Sequence, residues 1–125
     1  MAKILLIDDS EEVRKLAGRI LRKEHEVSAV EDWVQAAPLM FRDRSFDMVL
    51  IDVNMPTVQG DQIAEITRKT MVNPPKLVLF SAMDEDELRK KAESVGADGW
   101  ISKTFKKDAL LGFVRRALDA KASSA

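Results

Sequence analysis

The sequence predicts an α/β fold: a parallel sheet covered by helices on both faces. Two observations carry that reading. Strand and helix signals alternate five times along 125 residues, which argues for a parallel sheet between helical layers. Four short apolar runs also end in polar groups: Ile4-Leu5-Leu6-Ile7 before Asp8-Asp9, Met48-Val49-Leu50-Ile51 before Asp52, Leu77-Val78-Leu79-Phe80 before Ser81, and Trp100-Ile101-Ser102 before Lys103. Runs this short and this apolar read as buried strands. The carboxyl ends of parallel strands line a crevice, so the four polar signals converge in space.

The elements follow in chain order. After the first strand, Val13, Leu16, Ala17, Ile20 and Leu21 recur at helical spacing and predict a one-sided helix. His25 to Val30 is a thinly apolar second strand near an edge. Trp33 to Phe41 reads as a helix with Pro38 inside it, so the helix is kinked, or starts late with Pro38 near its first turn. Met48 to Ile51 is the third strand, and Gln59 to Thr70 the third helix with Ile63, Ile66 and Thr67 on one face. Asn73-Pro74-Pro75 breaks the chain before the fourth strand. The fourth helix starts near Asp84, buries Leu88, Ala92 and Val95, and stops at Gly96 in a left-handed cap. Gly99 to Ser102 is the fifth strand, and Lys106 to Ala120 the last helix, with Leu110, Phe113, Val114, Ala117 and Leu118 inward. Residues 1–121 are expected to form one domain, with 122–125 as a short tail.

Composition narrows the function. With 46% hydrophobic and 33% charged residues, the chain can bury a single core. A net charge of -1 gives no reason to expect a nucleic-acid or anionic-membrane partner. Without cysteine there are no disulfides or thiolate metal sites, which suits a reducing, cytoplasmic setting. The four apolar residues before Asp8 are too few for a signal-peptide core, and no run approaches membrane-spanning length. The single histidine, His25, lies in a charged turn and is read as exposed and without function.

Three carboxylates, a hydroxyl and an ammonium in one cleft make a site for a divalent metal and a phosphoryl group. Each member also has an ordinary reading. Asp9 and Glu12 have capping-box spacing for the first helix, Asp52 can be a turn residue, Ser81 can cap the fourth helix, and Lys103 can be a solvated surface lysine. Together these readings require four unrelated accidents at one edge of one sheet.

In these residues the chain resembles the receiver domains of two-component response regulators. The resemblance rests on Asp8-Asp9, on Asp52-Val53-Asn54-Met55-Pro56 with Gly60, on Ser81-Ala82, and on Lys103 followed by Phe105. It covers essentially the whole chain, and chemotaxis-type single-domain regulators are the nearest analogues in length. It implies a flavodoxin-like doubly wound sheet of five parallel strands, order 2-1-3-4-5, with five helices. It also implies phosphorylation of Asp52 by a partner histidine kinase or phosphotransfer protein. By the family pattern Asp9, Asp52 and the backbone carbonyl of Asn54 hold Mg²⁺ (or Mn²⁺), with Asp8 acting through water. Lys103 neutralises the phosphoryl group and Ser81 donates a hydrogen bond to it. Ser81 and Trp100 form the switch, which alters a surface of the fourth helix, fifth strand and fifth helix for a downstream protein target or an attached output domain. Asn54 and Met83 tune the lifetime of the acyl phosphate, and a thioether at Met83 orients water poorly, so slow dephosphorylation is expected.

Three positions depart from the family pattern. Thr104 follows Lys103 where proline with a cis peptide is usual; a cis bond before a non-proline residue costs roughly 3 kcal/mol. Either the site holds that strain, the reading favoured here because the lysine must still reach the phosphoryl group, or the peptide is trans and Lys103 is aimed differently. Trp33 stands where glycine is common, which supports an irregular start to the second helix; Trp100 replaces a smaller aromatic residue. Other function classes fit less well. A flavin carrier needs a phosphate-cradling loop, and Asp8-Asp9-Ser10-Glu11-Glu12 would repel phosphate. A phosphatase of the haloacid-dehalogenase type needs an Asp-x-Asp pattern, which the adjacent Asp8-Asp9 pair lacks. A receiver that binds partners without phosphorylation would not need the acidic cluster, Asp52, Ser81 and Lys103 together.

Overall fold

The computed structural model describes residues 2–42, 45–53, 60–70, 74–103 and 107–123. In chain order the elements are β1 (Lys3–Ile7), α1 (Glu11–Leu21), β2 (Glu26–Val30), α2 (Trp33–Arg42), β3 (Met48–Asp52), α3 (Gly60–Thr70), β4 (Lys76–Ser81), α4 (Glu85–Val95), β5 (Gly99–Ser102) and α5 (Lys107–Ser123). The strands form one parallel sheet in the order β2-β1-β3-β4-β5, the expected order. Among the described residues, no helix is long and apolar enough to cross a membrane.

The alternation of side chains along each strand divides the core into two layers. Leu5, Ile7, Val49, Ile51, Leu77 and Leu79 face one way and pack with Ala36 and Met40 of α2, Ile63 of α3, and Leu88 and Ala92 of α4. Ile4, Leu6, Met48, Leu50, Val78 and Phe80 face the other way, against Ala17, Ile20 and Leu21 of α1 and Leu110, Leu111 and Val114 of α5. The central strands β1, β3 and β4 are therefore apolar on both faces, as runs without alternation require. Edge strands β2 and β5 are only half-buried.

Helix ends follow local chemistry. Gly96 ends α4 at φ 71°, ψ 31°, the left-handed cap expected there, and Asp84 caps its start by accepting the N–H of Asp86. Three readings need correction. The cap of α1 is Ser10, whose hydroxyl accepts the N–H of Val13 at 3.3 Å, rather than Asp9 paired with Glu12; Asp9 is thus left to the cleft. The second helix starts regularly at Trp33, because Asp32 Oδ1 accepts the N–H of Gln35 at 3.0 Å and Gln35 Oε1 accepts the N–H of Glu31 at 3.0 Å. Pro38 sits inside that helix, beyond its first turn, so a late start is excluded. The missing proline N–H leaves the carbonyl of Val34 without a helical donor, on a residue that is 75% exposed.

Burial corrects three more. His25 is buried, not exposed: its Nδ1 accepts the N–H of Ala2 at 3.1 Å. On α3, Ile63 and Thr67 are buried but Ile66 is 43% exposed, and the Thr67 hydroxyl donates back to the Ile63 carbonyl at 2.8 Å. On α1, Leu16 is likewise exposed although it shares the apolar spacing of its neighbours.

Candidate functional site

The sheet register brings the four polar signals to one end. Ile7 pairs with Ile51, Asp52 with Phe80 and Ser81 with Ser102, so Asp8, Asp52, Ser81 and Lys103 all fall at or just past the carboxyl ends of neighbouring strands. One carboxylate oxygen from each of Asp8, Asp9 and Asp52 lies within 4.8 Å of the others. Asp8 and Asp52 are buried, whereas Asp9 is exposed at the mouth of the cleft.

Asp8 is fixed on every side. Its N–H extends the ladder to the Val30 carbonyl at 3.1 Å, its Oδ1 accepts the Ser10 N–H at 2.9 Å, and its carbonyl accepts Arg14 Nη1 at 2.7 Å. Lys103 closes the cleft from the far side. Its backbone N–H bonds the Ser81 carbonyl at 2.8 Å, tying the end of β5 to the end of β4. Its ammonium then reaches 2.7 Å from Asp8 Oδ2 and 3.1 Å from Asp52 Oδ1, over the Phe80 ring. Lys103 is thus no surface lysine: its side chain is only 17% exposed.

Burial, and then the charge of Asp8, push the Asp52 carboxyl up to about 6, with Lys103 acting against both. For Lys103, burial favours the neutral amine, but its bond to Asp8 and the charge of Asp52 outweigh burial and raise its affinity for the proton. Asp52 is therefore a buried carboxylate crowded by like charge, a condition that a further cation relieves. Three carboxylate oxygens within reach of one another suit a hard ion that takes its remaining ligands from water and phosphate.

Ser81 is buried, and its hydroxyl oxygen accepts the Met83 N–H at 3.1 Å, which leaves the hydroxyl proton as a donor toward the cleft end of β4. Met83 packs against the core layer of α2, α3 and α4, as does Trp100, both half-buried. Trp100 also lines a cavity of about 500 Å³ with Glu85, Ile101, Phe113 and Arg116, on the face formed by α4, β5 and α5. Asn54 and the Lys103-Thr104 peptide lie outside the described residues.

The chain matches the family described as "Response regulator receiver domain" over residues 4–115. It belongs to the receiver family of two-component response regulators. Among curated receivers, the chemotaxis protein CheY of Halobacterium salinarum is 34% identical over 123 residues, covering 96% of this chain and 100% of that one. The transcriptional regulatory protein CpxR of Escherichia coli is 32% identical over 94% of this chain but only 50% of its own length, and the response regulator FleR of Pseudomonas aeruginosa is matched over 24% of its length. The receiver chain is thus equal in extent to the first of these relatives and spans a quarter to a half of the others. In fold it is similar to the solved chemotaxis protein CheY4 of Vibrio cholerae, with TM-score 0.83 and 28% identity over 94% of this receiver and 98% of that chain. A receiver is a signalling domain, and Asp8, Asp9 and Asp52 of this one form an acidic cluster.

Two features of the site were not read from the sequence. Arg14 returns from α1 to the Asp8 carbonyl, a link that no residue pattern announces. Ser10 had a signal, a serine three residues before the apolar Val13, which the neighbouring Asp9-Glu12 spacing obscured.

Proposed function

We propose that this receiver accepts a phosphoryl group on Asp52 from the phosphohistidine of a partner kinase or phosphotransfer protein. An Asp52 oxygen attacks phosphorus, the P–N bond breaks, and the imidazole departs with the electron pair and takes up a proton. The observation that carries this reading is the contact of half-buried Lys103 with the buried Asp8 and Asp52, its Nζ 2.7 Å and 3.1 Å from the two carboxylates. An ammonium already in contact with the acceptor carboxylate is placed to neutralise the oxygens that arrive there. Asp9 and Asp52, with the Asn54 carbonyl, would hold Mg²⁺ or Mn²⁺, and Asp8 would act through water. That ion supplies charge neutralisation at the phosphoryl oxygens.

Ser81 then donates its hydroxyl to a phosphoryl oxygen, and Trp100 moves inward into the space Ser81 leaves, which shifts the face of α4, β5 and α5 toward its binding form. The test is intact mass after incubation with acetyl phosphate and MgCl₂. One added phosphoryl group that requires both Mg²⁺ and Asp52, and is lost in Asp52→Asn, is the expected result. A folded, metal-binding parent that forms neither that adduct nor a beryllofluoride complex would sink the proposal in favour of a receiver that works without phosphorylation. Met83, two residues past Ser81 and bonded to it, flanks the path of hydrolytic water. Met83→Glu should shorten the acyl-phosphate lifetime severalfold, and an unchanged decay would remove Met83 from this role.

A further inference from the structure

Arg14 is half-buried on α1, and its guanidinium turns back along the helix to donate to the Asp8 carbonyl at 2.7 Å. That carbonyl stands just past Ile7, the last β1 residue registered against β3. A charged donor at this distance makes one of the stronger hydrogen bonds available to a backbone carbonyl. The same carbonyl belongs to the peptide unit that joins Asp8 to Asp9, so fixing its plane fixes where the Asp9 Cα lies and leaves rotation about its N–Cα bond to aim the side chain. We infer that Arg14 is a positioning residue for the metal site, holding the Asp8–Asp9 peptide so that the Asp9 and Asp52 carboxylates face a common point. The inference rests on the proposed phosphoacceptor reading of the cleft.

Two effects of opposite sign meet at Arg14, and this makes the role testable. If the guanidinium acts only as a positive charge near three carboxylates, removing it tightens cation binding. If it acts through the peptide it holds, removing it weakens cation binding despite the charge change. Partners that orient metal-binding groups are typically worth 10- to 100-fold in affinity. The experiment is calorimetric titration of the full chain with MgCl₂, comparing the parent, Arg14→Met and Arg14→Lys. Methionine keeps the length and apolar stem but loses the donor; lysine restores a charged donor.

Arg14→Met should raise the Mg²⁺ dissociation constant by about tenfold, and Arg14→Lys should recover most of the loss. In the acetyl phosphate reaction, the half-saturating Mg²⁺ concentration of Arg14→Met should rise while the rate at saturating Mg²⁺ matches the parent. A loss of stability alone would not move that half-saturation in a chain that circular dichroism shows folded. An unchanged or lower dissociation constant in Arg14→Met overturns the inference while the parent remains Mg²⁺-dependent. A parent indifferent to Mg²⁺ overturns the phosphoacceptor reading, and this inference with it.

Discussion

The two ends of the sheet use the same residue type for opposite purposes. At the amino end, Asp47 and Asp98 each grip the start of a neighbouring strand. Asp47 Oδ2 accepts the Lys3 N–H at 2.9 Å while its own N–H returns to the Lys3 carbonyl at 2.8 Å. Asp98 repeats the arrangement with Leu77, at 2.8 Å in both directions. Each of these carboxylates accepts a backbone N–H and locks a strand position. At the carboxyl end, Asp8 and Asp52 face each other across Lys103. Charge settled on backbone stabilises the fold; charge crowded against charge is available to a ligand.

The largest expected contrast is chemical. Asp52→Asn should abolish the Mg²⁺-dependent phosphoryl adduct, whereas Asp98→Asn should leave it intact in a folded chain; intact mass reads both. An adduct that survives Asp52→Asn would break the contrast outright.

Next comes the pH dependence of stability without metal. The Asp52 carboxyl is raised from 3.8 to about 6 in the folded protein, so the folded state holds its proton more tightly than the unfolded state. Stability from this group is full below pH 3.8 and is lost as pH rises toward and through 6, by up to about 3 kcal/mol. Asp52→Asn should remove that slope and leave the metal-free protein more stable at pH 7. Chemical denaturation from pH 4 to 7 checks it, and a parent and variant with parallel profiles would refute it.

At the amino end the slope reverses. Burial lowers the proton affinity of His25; Glu24 and Asp47 act against it to a lesser degree, and Arg115 acts with it. A depressed histidine contributes stability above its unfolded value of about 6.5 and loses it as pH falls through the folded value. Protonation also places a proton on Nδ1, where the Ala2 N–H now donates. His25→Asn should flatten the acid side of the profile that remains in Asp52→Asn; an unchanged acid side would show that His25 does not shape it.

Asp98→Ala should lower stability by about 2 kcal/mol, as loss of a hydrogen bond to a charged acceptor does, with no change in Mg²⁺ affinity. The smallest effect belongs to Glu24 and Arg115, which pair through two hydrogen bonds on the surface. Glu24→Gln should cost under about 1 kcal/mol in thermal melts, and a larger loss would mean that this pair carries more of the amino end than its exposure suggests.

Much of this was legible in the sequence, and the failures have a common origin. Buried strands, the Gly96 cap and the polar groups Asp52, Ser81 and Lys103 at strand ends are local signals, and parallel pairing then brings those groups to one edge. His25 was misread because its neighbours are charged, while the N–H that its ring accepts comes from Ala2, distant in the chain. Leu16 and Ile66 share the apolar period of their helices, but a period marks a stripe and not its cover. Ser10 and Asp9 can both cap a helix from the same turn. The outcome depends on Asp8, which takes the Ser10 N–H and sets the turn. Arg14 was missed for the same reason as His25: its partner is chosen by the fold.

The position of Lys103 has a consequence for how the chain is made. Ribosomes deliver Asp8, Asp9 and Asp52 well before Lys103, and β5, which ends beside that lysine, is the last strand of the sheet to emerge. A chain that extends only through β3 therefore carries Asp8, Asp9 and Asp52 without the ammonium of Lys103. The last strand of that order therefore both completes the sheet and brings the ammonium that Asp8 and Asp52 share.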